Sequence, residues 1–166
     1  MFKVGDYIIC GSNGVCKVEG IGSDVPGAQE GRNYYTLASV YQKGKVIYTP
    51  VDNEKVIMRP ILKKDEAVQL IEEIKDIDML WINDERKREE AYKEALRSCD
   101  CRQLVAIIKN LYTRRQERIA AGKKNITNDE RYFKLAEDVL YEELAISLGI
   151  SKEEVREHIV EVASRE

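Results

Sequence analysis

Four cysteines and one histidine are the residues of this chain whose side chains most often bind metals or act as nucleophiles. Cys10 and Cys16 stand on either side of a glycine-containing turn, and a single residue separates Cys99 from Cys101. Because a zinc knuckle needs the wider C-x2-C spacing, the pattern favours reduced structural thiols over a metal site. His158, the only histidine, lies in a late amphipathic stretch, a position more typical of a surface or core-edge residue than of a catalytic one. We therefore expect neither an enzyme nor a bound cofactor.

The glycine-rich run from Gly5 to Gly22 is compatible in composition with a phosphate-binding loop or with a β-hairpin. A phosphate loop leads from a strand into a helix. Here Gly14 is followed by Val-Cys-Lys-Val-Glu, which alternates apolar and polar residues as a half-buried strand does. Asn13-Gly14 is a typical type I′ turn dipeptide, and Tyr7–Cys10 supplies the incoming strand. The run therefore predicts a hairpin and not a nucleotide site.

Strand-forming residues continue to about residue 62. They recur at 33–41, at 45–49, where Pro50 ends the run, and at 56–59, with turn residues between them. About five short strands in some sixty residues indicate a small antiparallel barrel of SH3 or Tudor type. We expect residues 1–62 to form this domain.

Residues 63–166 change to the periodicity of helices. The first helix carries an apolar stripe of Val68, Leu70, Ile71, Ile74 and Ile77. A second helix is predicted to start near Asn83, and a third to end at Gly122. Thr127 and Ser151 each begin a capping-box pattern. The predicted fold class is α+β with two domains, the second an all-α bundle of about five helices.

Length and composition set outer limits on the class of protein. The 166 residues allow one ordinary domain or two small ones, and 43% apolar residues suffice for a core. No apolar run approaches membrane-spanning length, and the N-terminus lacks the apolar segment of a signal peptide. We expect a cytoplasmic protein without membrane contact.

Basic residues concentrate in the middle of the chain, between acidic flanks at 63–80 and 135–166. Their clusters are Arg86-Lys87-Arg88, Arg114-Arg115, Lys123-Lys124, and Arg131 with Lys134. Such clusters form either a solvated helical face with i,i+4 ion pairs or a nucleic-acid footprint. The charges alone leave both interpretations open.

The order of these segments resembles the CarD/CdnL family of bacterial transcription regulators. The similar stretches are FKVGDYIICGSNGVCKVEGIG, YYTLASVYQKGKVIYTPVDN, LYTRRQER and KLAEDVLYEELA. The resemblance implies a Tudor-like N-terminal domain that docks on the RNA polymerase β subunit. It also implies a helical domain that contacts promoter DNA at the upstream edge of the bubble, and thereby a regulator that stabilises the open promoter complex.

On this resemblance, the polymerase contact is assigned to the strand around residue 47 and a facing loop. The residues are Asp24, Val25, Val46, Ile47, Tyr48, Thr49 and Pro50. An unpaired strand edge recruits a partner strand by β-augmentation, and it could also pair with a second copy, so the protein is a monomer or a strand-edge dimer. In the alternative, Val46 and Tyr48 belong to the core and Ile47 is an isolated exposed residue.

The resemblance also implies a DNA-contacting set in the helical half. The family uses a tryptophan that wedges into the minor groove, beside basic residues that neutralise phosphates. The candidates are Trp81, Arg86, Lys87, Arg88, Arg114, Arg115, Lys123, Lys124, Arg131 and Lys134. Trp81 has a second interpretation, as a cap on the bundle core.

Residues 143–160 allow a different function, that of a sequence-specific repressor or activator. Ala145, Gly149 and Val155 have the spacing of a helix-turn-helix. Its recognition helix would carry Lys152 and Arg156 among three glutamates, which gives phosphates a net negative face. Two packed helices joined through a glycine produce the same spacing.

Overall fold

The computed structural model describes residues 1–80 and 82–163, in which five β-strands precede five α-helices. The strands are β1 (Tyr7–Cys10), β2 (Val15–Gly22), β3 (Tyr34–Ser39), β4 (Val46–Pro50) and β5 (Met58–Pro60). The helices are α1 (Lys64–Glu73), α2 (Glu85–Ser98), α3 (Cys101–Ala120), α4 (Thr127–Leu148) and α5 (Lys152–Ala163). The chain divides into two compact units, Met1–Ile61 and Leu62–Glu166. The predicted fold class is confirmed.

The N-terminal unit is one antiparallel sheet with the strand order β4-β3-β2-β1-β5. β1 lies between its hairpin partner β2 and the last strand β5, so the first and last strands of the unit are neighbours. The ladder between β2 and β3 shifts register between Val18 and Gly20, which is where a β-bulge increases strand bending. The inward side chains form the core: Ile8, Cys10, Cys16, Val18, Tyr35 and Leu37.

The turn of the first hairpin differs from its prediction. Gly11–Asn13 form a 3-10 turn, and the left-handed φ values fall on Gly11 (51°) and Gly14 (73°). Asn13 has a negative φ, so the predicted type I′ Asn-Gly turn is wrong. At this turn the chain comes close to the segment before β5: the N–H of Gly11 donates to the carbonyl of Ile57 at 2.8 Å, and a Cβ on residue 11 would lie 2.6 Å from Val56 Cγ1. Position 11 therefore requires glycine for two reasons: its positive φ, and the lack of room for a Cβ beside Val56.

The helical unit buries one continuous core. Its fully buried members include Leu70, Ile71, Leu104, Ile107, Leu111, Leu140, Leu144 and Val155. Val68, predicted in the apolar stripe of α1, is instead 39% exposed, and that part of the prediction is wrong. Ala67 takes the inward place, because it lies three and four residues before Leu70 and Ile71. None of the described helices combines the length and the apolar character that a membrane span requires.

The Cys99-Asp100-Cys101 triplet is the corner between α2 and α3. Cys99 ends α2 in the left-handed region, with a φ of 58°. Asp100 then caps α3 by accepting the N–H of Arg102 at 2.9 Å. Cys101 is buried at the start of α3, where its thiol donates to the Glu143 carboxylate at 3.2 Å. The close spacing of Cys99 and Cys101 is thus explained by the short connection between α2 and α3, in which Cys99 ends one helix and Cys101 begins the next.

The other predicted helix ends give a mixed result. Ser151 caps α5, since its hydroxyl accepts the N–H of Glu154 at 3.1 Å, as predicted. Gly122 follows the end of α3 with a φ of 72°, also as predicted. The cap predicted at Thr127 is wrong, because Thr127 is already the first residue of α4 and Ile126 precedes it without a side-chain cap.

None of the four cysteines forms a disulfide, and all four are buried. Within residues 1–80 and 82–163, no group of three or more His, Cys, Asp or Glu side chains could hold a metal ion. Burial raises the pKa of the Cys16 thiol to about 11; the neighbouring Cys10 adds to this shift, and Lys45 opposes it. Cys16 is therefore a neutral thiol at physiological pH.

Replacing Cys16 by alanine should remove a titration that weakens the barrel at alkaline pH. The thiol ionises near pH 9.0 in its ordinary state and near pH 11 in the folded chain, so wild-type stability falls as the pH rises through this interval. We expect the wild type's advantage over Cys16→Ala in unfolding free energy to be constant below about pH 9 and to shrink towards about pH 11. Urea unfolding across this range measures the difference. An advantage that stays constant throughout would contradict the burial of a neutral thiol.

Candidate functional site

β4 is an edge strand, because it pairs with β3 on one side and with no described strand on the other. Val46 is 48% and Tyr48 is 41% exposed, whereas Ile47 packs against the barrel core and Thr49 is buried. The alternative in which Val46 and Tyr48 belong to the core is therefore wrong. Among the predicted residues of this strand, Val46 and Tyr48 present exposed side chains, and Ile47 supports them from inside.

The hydrogen bonds of β4 decide which of its backbone groups face outward. The N–H of Ser39 on β3 donates to the carbonyl of Lys45 at 3.0 Å, so Lys45 and every second residue after it face β3. The N–H and C=O groups of Val46 and Tyr48 consequently point to the open side. Pro50 adds a carbonyl there but has no N–H. The edge thus presents a short row of donors and acceptors beside two exposed apolar side chains.

A row of side chains crosses the outer face of the sheet up to this edge. The registers align Tyr7 with Lys17, Lys17 with Ala38, and Ala38 with Val46. Tyr7 is 38% exposed, and the Lys17 ammonium lies 5.8 Å from the centre of its ring. Sequence reasoning missed Tyr7 and Lys17 as members of this surface. The alternation along β2 was the signal that could have found them.

Asp24 and Val25, the predicted loop contacts, lie between β2 and β3. Gly22 pairs with Tyr34, and Tyr34 pairs with Pro50, so the loop leaves the sheet at the Pro50 end of β4. Asp24 is exposed and Val25 is half-buried. The structure places Asp24 and Val25 near the Pro50 end of the edge strand, while the row of side chains from Tyr7 to Val46 reaches its other end.

One basic cluster of the helical unit lies in the first turn of α2, and another lies just before α4. Asp84 caps α2 by accepting the N–H of Arg86 at 2.9 Å. A cleft of about 550 Å³ separates this first turn from the beginning of α4. It is lined by Asp84, Glu85, Arg86, Arg88, Glu89, Tyr92, Ile126, Asn128 and Asp129. Lys123 and Lys124 precede Ile126 by three and two residues, so the clusters at 86–88 and 123–124 flank this cleft and are here named the basic end; the cleft lining itself holds four carboxylates and two guanidiniums.

Arg114 and Arg115 join α3 to α4. Arg114 Nε lies 3.0 Å from Asp129 Oδ2. Arg115 binds the Glu130 carboxylate with two hydrogen bonds of 2.9 and 2.7 Å, which raise the pKa of the guanidinium. Its guanidinium carbon also lies 4.2 Å from the centre of the Phe133 ring. These contacts give both arginines a structural task and neutralise part of the charge predicted to contact DNA.

The remaining predicted basic residues lie at the surface. Lys87, Lys123, Lys124 and Lys134 are all exposed. Arg131 donates to Asn128 Oδ1 at 2.9 Å and lies 5.2 Å from the centre of the Tyr132 ring. Arg118 donates to the Lys124 carbonyl at 2.7 Å, which holds the turn that presents the lysine pair. Long, solvated lysines of this kind are the side chains best suited to sequence-tolerant phosphate contacts.

Trp81, the predicted DNA wedge, lies outside the described residues. Its neighbours in the chain are Leu80, which is exposed, and Ile82, which is half-buried. Both interpretations of Trp81, as a wedge and as a core residue, therefore stay predictions.

The C-terminal helix-turn-helix pattern coincides with packing inside the bundle. Ala145 and Val155 are both buried in the core of the helical unit. The basic residues of α5 pair with α4 carboxylates: Lys152 with Asp138 at 3.3 Å, and Arg156 with Glu137 at 3.9 Å. Because these pairs engage its two cations, α5 offers phosphates a net acidic surface. The contacts favour the packing explanation of this spacing over a recognition helix.

Comparison with protein families assigns both units. A family model described as the CarD-like/TRCF RID domain matches residues 2–62, and one described as the CarD C-terminal domain matches residues 70–160. No individual curated protein matches the chain. The two matches lie in the family's order and together extend over nearly the whole sequence, so the chain belongs to the CarD-like family of transcription regulators, whose N-terminal domain interacts with RNA polymerase.

Proposed function

We propose that the protein docks on the β subunit of RNA polymerase through the open edge of β4 and stabilises the open promoter complex through its helical domain. In this proposal residues 1–62 are the polymerase-binding domain and residues 63–166 the DNA-contacting domain. The observation that carries it is the β4 edge: a polymerase-interacting domain offers unpaired backbone groups at Val46 and Tyr48 beside their exposed side chains.

The edge suits β-augmentation better than a flat side-chain interface. Main-chain hydrogen bonds to an added strand supply affinity, and pockets for alternate side chains supply specificity. An added strand would meet the N–H and C=O groups of Val46 and Tyr48, and its side chains would continue the row formed by Tyr7, Lys17 and Ala38. Pro50 limits the pairing at one end, because it has no N–H to donate. Asp24 and Val25 would flank that end.

The basic end of the helical domain supplies the DNA contact in this proposal. Lys87, Lys123 and Lys124 of this end, and Lys134 two turns along α4, are exposed and able to neutralise phosphates without reading sequence. Arg86 stands beside them on the first turn of α2. Arg88, Arg114, Arg115 and Arg131 contribute mainly through the contacts that hold this surface together. Trp81 would act as the wedge at the upstream fork of the bubble.

The proposed mechanism needs both domains in one chain. Docking of the barrel on polymerase raises the effective concentration of the helical domain at the promoter, so weak phosphate contacts suffice to occupy the fork. A wedge that binds only the melted form slows bubble collapse, because a ligand shifts an equilibrium by its differential affinity for the two states. No catalytic group takes part in this scheme.

Blocking the β4 edge should weaken polymerase binding without unfolding the N-terminal sheet. We expect Val46→Pro to weaken binding of the full chain to the β-subunit lobe at least about tenfold, since the ring removes an outward N–H and obstructs the added strand. The β3 ladder survives this change, because the Val46 N–H does not face β3. Calorimetric titration measures the affinity. Val46→Thr, which keeps the N–H and the β-branched shape, is the matched control and should bind almost as wild type; unaltered binding by Val46→Pro would exclude this edge.

Removing one lysine of the basic end should lower the salt dependence of DNA binding. For Lys87→Gln we expect the slope of log affinity against log salt concentration to fall by about one, because one fewer counterion is released. Arg97→Gln is the control, since Arg97 is exposed on the same helix about 15 Å along its axis and pairs with Glu94. Fluorescence titrations of a promoter-fork duplex at several salt concentrations give both slopes. Equal slopes for the two variants would exclude Lys87 from the phosphate contacts.

A further inference from the structure

The segment between α1 and α2 carries Trp81, and its described residues, 77–80 and 82–84, make few backbone hydrogen bonds among themselves. After the 3-10 turn Ile74–Asp76, the described residues 77–80 and 82–84 form neither helix nor strand. Backbone groups outside regular structure depend on side chains or water for their partners. The contacts made to this segment by the neighbouring helices therefore decide how well it is ordered.

α3 holds the first half of the segment. Lys109 donates from Nζ to the carbonyl oxygen of Ile77 at 2.6 Å. One helical turn further on, Thr113 Oγ1 lies 3.2 Å from Met79 Sδ, so both contacts come from one face of α3. Burial lowers the pKa of the Lys109 ammonium, and the carboxylates of Asp76 and Asp78 oppose that shift. A half-buried lysine aimed at a backbone carbonyl is poorly placed to meet a phosphate.

α2 holds the second half. Arg88 Nη2 donates to the carbonyl oxygen of Ile82 at 3.1 Å, and the N–H of Arg88 donates to the carbonyl of Asp84 at 2.9 Å. Asp84 in turn caps α2. The guanidinium of Arg88, predicted to contact DNA, is thus directed at the chain next to Trp81.

The two carbonyl anchors, at Ile77 and Ile82, bracket four residues of chain. We propose that Lys109, Thr113 and Arg88 are positioning residues that fix both ends of the segment carrying Trp81. The effect on DNA rests on the proposed function: where Trp81 acts as a wedge, loosening either anchor costs affinity without the loss of a phosphate contact. Lys109 and Thr113 were not among the residues that the sequence indicated, because neither belongs to a basic cluster.

Tryptophan fluorescence tests this proposal directly, because Trp81 is the only tryptophan of the chain. In Lys109→Met, which keeps the apolar stem and loses the donor, we expect acrylamide to quench Trp81 more strongly and its anisotropy to fall. DNA affinity should drop about three- to tenfold, as expected for the loss of a backbone hydrogen bond, with the salt slope unchanged. Thermal melting verifies that the fold is intact; Thr113→Val, an isosteric change, serves should Lys109→Met fail to fold.

Lys87→Met is the matched control, since Lys87 is an exposed lysine of α2. Its salt slope should fall while quenching of Trp81 stays at the wild-type value. Stronger quenching in Lys109→Met with reduced DNA affinity supports both the positioning role and the wedge. Stronger quenching with unchanged affinity supports the positioning role and contradicts a DNA role for Trp81. Unchanged quenching in folded Lys109→Met and Thr113→Val overturns the proposal, whatever the DNA affinity.

Discussion

An open antiparallel sheet leaves two rows of backbone groups without partners, and this constraint shapes the N-terminal domain. At one edge β5 is only three residues long and ends in Pro60, which blunts that edge against pairing. At the other edge β4 is longer, and its outward N–H and C=O groups alternate with those committed to β3. The core of the N-terminal domain fixes this geometry, because Ile47 and Thr49 point inward and so turn Val46 and Tyr48 outward. Because the outward N–H and C=O groups of β4 have no partner strand among the described residues, this edge is the surface of the domain best suited to pair with one.

In the helical domain the constraint is the mutual repulsion of the basic residues, which ion pairs reduce. Arg114 and Arg115 pair with acidic residues of α4. These ion pairs hold α3 against α4 and weaken the repulsion between the two arginines and nearby basic residues. Exposed lysines at the starts of α2 and α4 keep their charge for solvent or phosphate. The two cations of α5, by contrast, pair with carboxylates of α4. Ion pairs thus join α3 to α4 and α4 to α5, so that the basic middle of the sequence and its acidic C-terminal part pack against the same helix.

The fold could be predicted from the sequence largely because its signals are local. Strand alternation, the helical period and the cap at Ser151 each act within a few residues of the chain. Two of the errors lie where distant segments meet: Val56 closely approaches the turn at Gly11, and the packing of α1 turns Val68 to the surface. The third, the cap at Thr127, is local, because α4 already includes that residue. For the candidate site, the sequence indicated the strand and the basic clusters, and their roles stay predictions. Which residues of β4 face outward, and the anchoring roles of Lys109 and Thr113, depend on pairings that no local pattern encodes.

The lifetime of open promoter complexes tests the bridging account most directly. Complexes formed with polymerase alone, with added wild type, and with the edge-blocked Val46→Pro protein are challenged with a DNA competitor, and their decay is followed. The account predicts that wild type lengthens the lifetime and that the edge-blocked protein, whose helical domain is unaltered, does not. A lifetime lengthened equally by both proteins would contradict it, because stabilisation would then be independent of polymerase docking.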